Sequence, residues 1–374
     1  MYYYIFKRIL WFIPTIFFVT LISFILLKSS PNSTLNSLIN TNSSGGGTDI
    51  QTQKKYWENK LGLNLPLFYF SVKTISEAEN DCSNSVISTS TYKDYFPCFQ
   101  WNGFNNQYHG WLFGYNSSKG ILSGDFGNSL ITQQPIVSII KNRIGWTLFF
   151  TITSILLAYI ISIPLGIKLV QHPKASSSKR IELSLFLMYS LPSFFVGVLL
   201  LMLFANPDCL SIFPSSGIKP IQGYADGATF FSKFFSSLPY VILPLITYTY
   251  SSLAFLTKLT STSLVQQLNF DYIKTAKAKG LDENQIIWKH ALKNALIPIL
   301  TVFTSVFPSI IGGSVIIESV FSIPGMGSEI VNSIVSHDFN LVIAFVTLTA
   351  FLTVLSYLVS DILTAFLDPR IKYD

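Results

Sequence analysis

Asp271-Tyr272-Ile273-Lys274-Thr275-Ala276-Lys277-Ala278-Lys279-Gly280-Leu281 and, after a polar stretch, His290-Ala291-Leu292-Lys293-Asn294-Ala295-Leu296-Ile297-Pro298 form a basic segment between two apolar runs that carry no charge. Ala276 is a small side chain at which another surface can come close. Gly280 lets the backbone turn sharply, and a left-handed conformation is expected there. Asp282 with Gln285 three residues on is an Asp variant of the capping box, so a new helix is expected from Asp282. The segment reads as a helix ending near Lys279, a turn, and a second helix: a knuckle protruding just outside a bilayer. The same residues also suit an ordinary cytoplasmic loop that is basic only because of the side on which it lies.

Composition points to a membrane independently of that segment. The chain is 49% hydrophobic and 12% charged, where a soluble domain carries about 25% charged residues. Six segments are long enough to span: Ile9 to Leu27, Ile144 to Ile167, Leu183 to Asn206, Phe234 to Thr257, Asn294 to Ile317 and Phe339 to Ser360. Each has about 19 to 25 residues without a charge, and about 20 suffice at the helical rise. Backbone groups in lipid must be satisfied within the segment, so helices are expected, giving an all-α membrane protein. Pro14, Pro164, Pro192, Pro244 and Pro308 fall inside these segments. Neighbouring helices can cover the carbonyls that Pro frees, and Pro can kink a helix. The first segment is long for a cleaved signal peptide and lacks a small-x-small site, so it is expected to stay as a span.

Lys and Arg in short loops set the orientation. Lys7 and Arg8 precede the first span. Lys174, Lys179 and Arg180 follow the second. Lys258, Lys274, Lys277, Lys279, Lys289 and Lys293 follow the fourth, and Arg370 and Lys372 follow the sixth. With six spans all four clusters lie on one side, so both termini and the knuckle are expected in the cytoplasm. The net charge of +6 is then a matter of topology and implies no nucleic-acid partner.

The connection from Lys28 to Arg143 is far longer than ordinary loops. Asn32 to Thr48 is rich in Asn, Ser, Thr and Gly and reads as a flexible tether. Tyr92 to Tyr115 holds Phe96, Phe99, Trp101, Phe104, Trp111 and Phe113. These suit either a small packed subdomain that caps the loop or a surface lying on the bilayer, where aromatics concentrate. Cys82, Cys98 and Cys209 all fall outside the cytoplasm in this topology. A Cys82–Cys98 disulfide would close a short loop in an oxidising compartment; two free thiols fit the spacing equally. His109, His172, His290 and His337 are scattered over both sides and make no metal cluster.

Catalytic motifs are missing. The sequence has no Gly-x-x-x-x-Gly-Lys-[Ser/Thr] phosphate loop, no Gly-x-Ser-x-Gly and no His-Glu-x-x-His, so ATP binding, catalysis and a resident cofactor are not expected. Asp361, near the inner end of the last span, is an intramembrane acid and so a functional candidate; its place a turn or two from Asp368 favours an interfacial anchor. Gly312, Gly313 and Ser314 are small residues suited to close helix contact, either as generic packing or against a partner around a transport pathway. Glu318 follows at the external mouth.

The knuckle closely resembles the coupling loop of ABC importer permeases. Against the generic form of that loop, aligned on Gly280, only Ala276, Gly280 and Leu292 match. Against the oligopeptide and dipeptide permeases, Asp271 to Leu281 and His290 to Pro298 fit at every position. The first permease subunit of that family is also resembled elsewhere. The matching stretches are Ile5 to Leu10 with Ile13-Pro14-Thr15, Leu61-Gly62-Leu63 with Pro66-Leu67, Gly124 to Ser129, Leu191 to Phe194, Glu318 to Gly327 and Leu367 to Lys372. About 71–119 stands out as an insertion.

The resemblance implies the type I importer permease fold with six transmembrane helices. Residues 1–31 would hold the cytoplasmic end and first helix. Residues 32–140 would form an extracytoplasmic loop with the inserted subdomain at about 71–119. Residues 141–374 would form a five-helix core with its coupling loop at 258–293. It implies a heterodimer with a second homologous permease, two cytoplasmic ATPases, an external substrate-binding protein, and alternating access in the cell inner membrane. It assigns ATPase coupling to Asp271, Tyr272, Thr275, Ala276, Lys279, Gly280, Leu281, His290 and Asn294. The expected solute is a di- or oligopeptide, with nickel or another small solute as the alternative. An ion-driven secondary transporter would need midplane acids, and these spans are nearly free of them.

Overall fold

The computed structural model describes residues 2–28, 55, 64–74, 97–114, 119–220, 222–225, 227–312 and 314–367. In chain order the elements are α1 (Tyr2–Lys28), β1 (Phe70–Thr74), β2 (Pro97–Trp101), α2 (Gln107–Phe113), α3 (Ile136–Gln171), α4 (Ser176–Ser190), α5 (Ser193–Phe204) and α6 (Phe230–Leu268). They continue with α7 (Asp271–Ala278), α8 (Leu292–Gly312), α9 (Val315–Val320), α10 (Met326–Val335) and α11 (Phe339–Leu367). A 3₁₀ turn covers Ile121–Ser123. Between α7 and α8 lie one helical turn, Glu283–Gln285, and one π turn, Ile286–Ala291.

Among the described residues three helical stretches are long and apolar enough to cross a membrane: Ile136–Gln171, Phe230–Tyr250 and Phe339–Val359. They fall on the expected second, fourth and sixth segments, the second of the three ending at Tyr250, short of Thr257. Leu10–Ile25 of α1 is a shorter apolar helix. Two expected spans differ from their sequence reading. The third, Leu183 to Asn206, is split into α4 and α5, which meet at 103°. Pro192 is the cause: Leu191 before it is extended (φ −100, ψ 133), as a residue preceding Pro must tend to be, and Pro192 itself starts the next helix from φ −60, ψ 139. The fifth, Asn294 to Ile317, ends as α8 at Gly312, and α9 begins afresh after Ser314, whose backbone is extended at φ −105, ψ 97.

The described residues group into two compact units. The first comprises 1–16, 141–332 and 348–374. Two clusters of its core lie along α3 and α6, and a third joins Leu169 of α3 and Ala254 of α6 to Leu185 of α4. One cluster gathers Ile167 of α3 and Leu264 of α6 with Ile273, Ala276, Ile286, Ile287, Ala291 and Leu292. The other gathers Phe150 of α3 and Val241, Leu243 and Tyr248 of α6 with Ile317, Phe321 and Ile323. Between them α3 and α6 approach closely at Gly166. A methyl placed on Gly166 would lie 2.6 Å from Cβ of Thr260.

The second unit comprises 17–140 and 333–347. β1 and β2 pair antiparallel in the register Phe70↔Trp101 to Thr74↔Pro97. Tyr108 of α2 is fully buried against Phe24 and Ile343, and its hydroxyl lies 3.1 Å from Oγ1 of Thr20. Asn106 caps α2 by accepting from the His109 N–H at 2.8 Å. Phe99, Trp101, Phe104 and Phe113 stay exposed while Trp111 packs inward. The aromatic stretch thus forms both a small packed core and an exposed aromatic surface. Asp338 is buried and accepts from the Ser129 hydroxyl at 2.5 Å and the N–H groups of Leu130 and Leu341, tying the Gly124 to Ser129 stretch to the start of α11. The tether from Asn32 to Thr48, Cys82 and Phe96 lie outside the described residues, as do the chain's last seven.

Candidate functional site: a basic knuckle and a buried carboxylate

The knuckle is built by local chemistry. Gly280 has φ +77, the left-handed region open to glycine. Its N–H donates to the Lys277 carbonyl at 2.9 Å, and the Leu281 N–H reaches back to the Ala276 carbonyl at 3.4 Å. That pair of bonds is the Schellman termination, which satisfies the carbonyls that a helix leaves open at its end. Asp282 then caps the next turn through Oδ2, accepting from the Asn284 N–H at 3.2 Å. The π turn over Ile286–Ala291 follows, closed by the Leu292 N–H on the Ile287 carbonyl. Single π turns of this kind add a residue to a helix and rotate its faces, often at functional positions.

Burial divides the segment into a scaffold and a face. Ile273, Ala276, Ile286, Ile287, Ala291 and Leu292 are buried, and Leu281 is half-buried against them. Asp271, Tyr272, Lys274, Thr275, Lys277, Lys279, Gly280, Lys289, His290 and Lys293 are exposed, and Asn294 is half-buried. Ala276, read from the sequence as a point of close approach for a partner, is only 7% exposed and packs into the chain's own core. Sequence reading also missed two aromatics on the exposed face. Phe270 stacks on Tyr272 with ring centroids 6.2 Å apart, and Trp288 is 51% exposed. The available signal was Trp288 next to Lys289 and His290 in the polar stretch. Gln171, the last residue of α3, donates to the Asn284 side chain at 2.8 Å, fastening the knuckle tip to that helix.

The second site centres on Glu318 in α9, whose exposure is 0%. Oε1 accepts from the Thr147 hydroxyl of α3 at 2.7 Å and lies 3.4 Å from the Tyr248 hydroxyl of α6. Oε2 accepts from the Ser328 N–H at 2.9 Å, and the Gly327 N–H also donates to the carboxylate. Those two amides belong to the first turn of α10, where open N–H groups favour an anion. Gly325 and Gly327 are small because the carboxylate fills the space. A methyl on Gly325 would lie 2.5 Å from the carboxyl group, and one on Gly327 would lie 3.0 Å from Oε2. Ser314 caps α9 through its own hydroxyl, and its N–H donates to Tyr248 at 3.2 Å. Gly312 ends α8, and Gly313 lies outside the described residues. Thr147, Tyr248 and Ser328 were not legible as partners of Glu318. Cys98 sits in β2, Cys209 is exposed, and Asp361 is half-buried in α11.

Both sites hang on the same two helices. Thr147 and Ile167 are twenty residues apart on α3, about 30 Å at the helical rise, which is the thickness of a bilayer's hydrocarbon core.

The chain belongs to the family of binding-protein-dependent transport system inner membrane components, whose sequence model matches residues 158–373. It is 30% identical to the oligopeptide transport system permease protein AppB of Bacillus subtilis over 99% of each chain. It is 32% identical to the dipeptide transport system permease protein DppB of Lactococcus lactis, over 67% of this chain and 77% of that one. Its identity to the glutathione transport system permease protein GsiC of Escherichia coli is 28% over 99% of each.

Proposed function

We propose that this chain is one permease half of an ATP-driven importer for di- and oligopeptides, and that the knuckle couples it to cytoplasmic ATPases. The observation that carries the reading is the knuckle itself. It is a turn closed by Gly280 and Asp282 over its own apolar core, which presents a basic and aromatic face at the ends of α3 and α6. The transport of oligopeptides, dipeptides and glutathione by the named relatives supports the peptide class. A second, homologous permease completes the pathway, two ATPase subunits dock on the knuckles, and an external binding protein delivers the solute.

Six spans carry the chain, with α4 and α5 together making one of them. Both termini and residues 258–293 are cytoplasmic, because the positive clusters share one side. Residues 1–31 supply the first span, 32–140 the extracytoplasmic loop with its insertion at about 71–119, and 141–374 the coupled core. Asp271, Tyr272, Thr275, Lys279 and His290 offer side chains to the ATPase. Gly280, Leu281, Ala276 and Asn294 hold the shape that presents them. ATP-driven closure of the ATPase pair moves the knuckles, and the permeases exchange an inward-open for an outward-open state, two global states biased through one element.

The test is reconstitution of the full complex in proteoliposomes with its binding protein and labelled di- and tripeptides. ATP-dependent accumulation is expected. Uptake that ignores ATP, or follows an ion gradient, would defeat the class; ATP-driven uptake of a different solute would defeat the substrate.

A further inference from the structure

Glu318 is a fully buried acid whose partners among the described residues are all neutral donors. They come from α3, α6 and α10, so one carboxylate joins three helices. A segment without regular structure leads from α9 to α10 beside it, and that segment is held rather than loose. The Ile323 N–H donates to the Glu318 carbonyl at 2.8 Å, the Ser328 hydroxyl donates to the Ile323 carbonyl at 2.7 Å, and the Met326 N–H donates to Thr147 Oγ1 at 2.8 Å. Ser322 sits at φ +54, a left-handed conformation a side-chain-bearing residue keeps only when its surroundings impose it. At the turn's outer side the Phe321 carbonyl accepts from Gly217, in the connection between α5 and α6, and the Phe321 ring would meet a methyl on Gly197 of α5 at 3.1 Å.

We propose that Glu318 is a positioning residue of the transport cycle: its carboxylate latches the Phe321–Ser328 turn to α3 and α6, so that displacement of these helices by the knuckle is delivered to the turn at the opposite membrane face. This rests on the importer reading above. Three features favour a transmitting role over a passive one. The latch and the knuckle core share α3 and α6. Those helices come so close at Gly166 that a methyl there would meet Thr260 Cβ at 2.6 Å and the Thr257 carbonyl oxygen at 3.1 Å, which leaves little room for one to shift past the other at that point. The carboxylate gathers donors from α3, α6 and α10 on one group, and the Met326 N–H on Thr147 Oγ1 ties the same turn to α3 a second time. Bistable contacts of this kind turn small shifts into switching between states.

The experiment uses the complete reconstituted importer and measures peptide uptake and ATP hydrolysis in the same vesicles. Glu318→Gln keeps the size but replaces one acceptor oxygen by an amide NH₂, which cannot accept from the Gly327 and Ser328 N–H groups. Thr147→Val and Tyr248→Phe each leave Glu318 in place and remove one donor to it, together with the acceptor of the Met326 N–H or the Ser314 N–H respectively. Gly325→Ala drives a methyl into the carboxylate. Glu318→Gln and Gly325→Ala are expected to lower uptake per ATP hydrolysed by about tenfold, within the usual range of coupling between sites, while hydrolysis continues. Thr147→Val and Tyr248→Phe should lower the same ratio. An unchanged ratio in all variants that assemble overturns the proposal, and so does a parallel fall of uptake and hydrolysis, which is the mark of a merely structural group. If the unsubstituted complex shows no ATP-driven uptake, the importer reading fails first and takes this inference with it.

Discussion

Gly280→Val is the sharpest test of the knuckle. Gly280 lies at φ +77, and a side chain added there would meet nothing within 4 Å. The cost is therefore in the backbone alone. Left-handed conformations cost an L-residue about 1–2 kcal/mol, and a β-branched residue is at the unfavourable end. That displaces the local turn equilibrium by roughly 5- to 30-fold. The bonds that fail with it are Gly280 to Lys277 and Leu281 to Ala276, and Leu281 then leaves the core it helps to close. The spans do not depend on this turn, so membrane level measured by blot should stay near normal while uptake per ATP falls. Gly280→Asn, which tolerates the left-handed region, should retain most of the coupling. In the reconstituted complex, a Val variant with normal uptake per ATP, or an Asn variant as impaired as Val, would show that the turn's geometry is not what transmits.

Ala276→Trp should now act through overpacking of the knuckle core, costing about 1–3 kcal/mol, and should lower both thermal stability and coupling; a variant with full stability and lost coupling would restore the partner-contact reading. Lys277→Ala, at an exposed site, should change little. Gly166→Val places its Cβ 2.6 Å from Thr260 and should lower the melting temperature in detergent; Thr260→Gly should recover part of it, and fully additive losses would refute the contact. Reporter fusions at Lys174 and Lys279 should read cytoplasmic and one near Gly46 external; a cytoplasmic reading at Gly46 would overturn the topology. If Cys82 and Cys98 are bridged, both should resist thiol labelling of intact cells until a reductant is added, and ready labelling without it would reject the bridge.

What was legible in the sequence depended on signals that act over a few residues. The helix stop at Lys279, the left-handed Gly280 and the cap at Asp282 were all readable, because each is decided by side chains within about one turn. Apolar runs marked the helices at Ile144, Phe234 and Phe339 for the same reason. Pro192 and Ser314 marked places where helix could stop, but whether a span kinks or breaks depends on what covers the freed backbone groups. That covering comes from other helices.

Ala276 and Glu318 separate the two kinds of information most clearly. As letters in a motif both were visible, and the motif alone placed the chain near its family. Which way each side chain faces was decided elsewhere. Ala276 is turned inward because α3, α6 and the π turn converge on it. Glu318 is satisfied by Thr147, 171 residues away, and Tyr248, 70 residues away. A charge cannot stay buried without such partners, yet no local pattern names them, since any hydroxyl of the right helix face would serve. Capping, backbone angle and hydropathy were therefore sequence properties of this protein, whereas the pairing of its buried polar groups belonged to the packing of α3, α6 and α10.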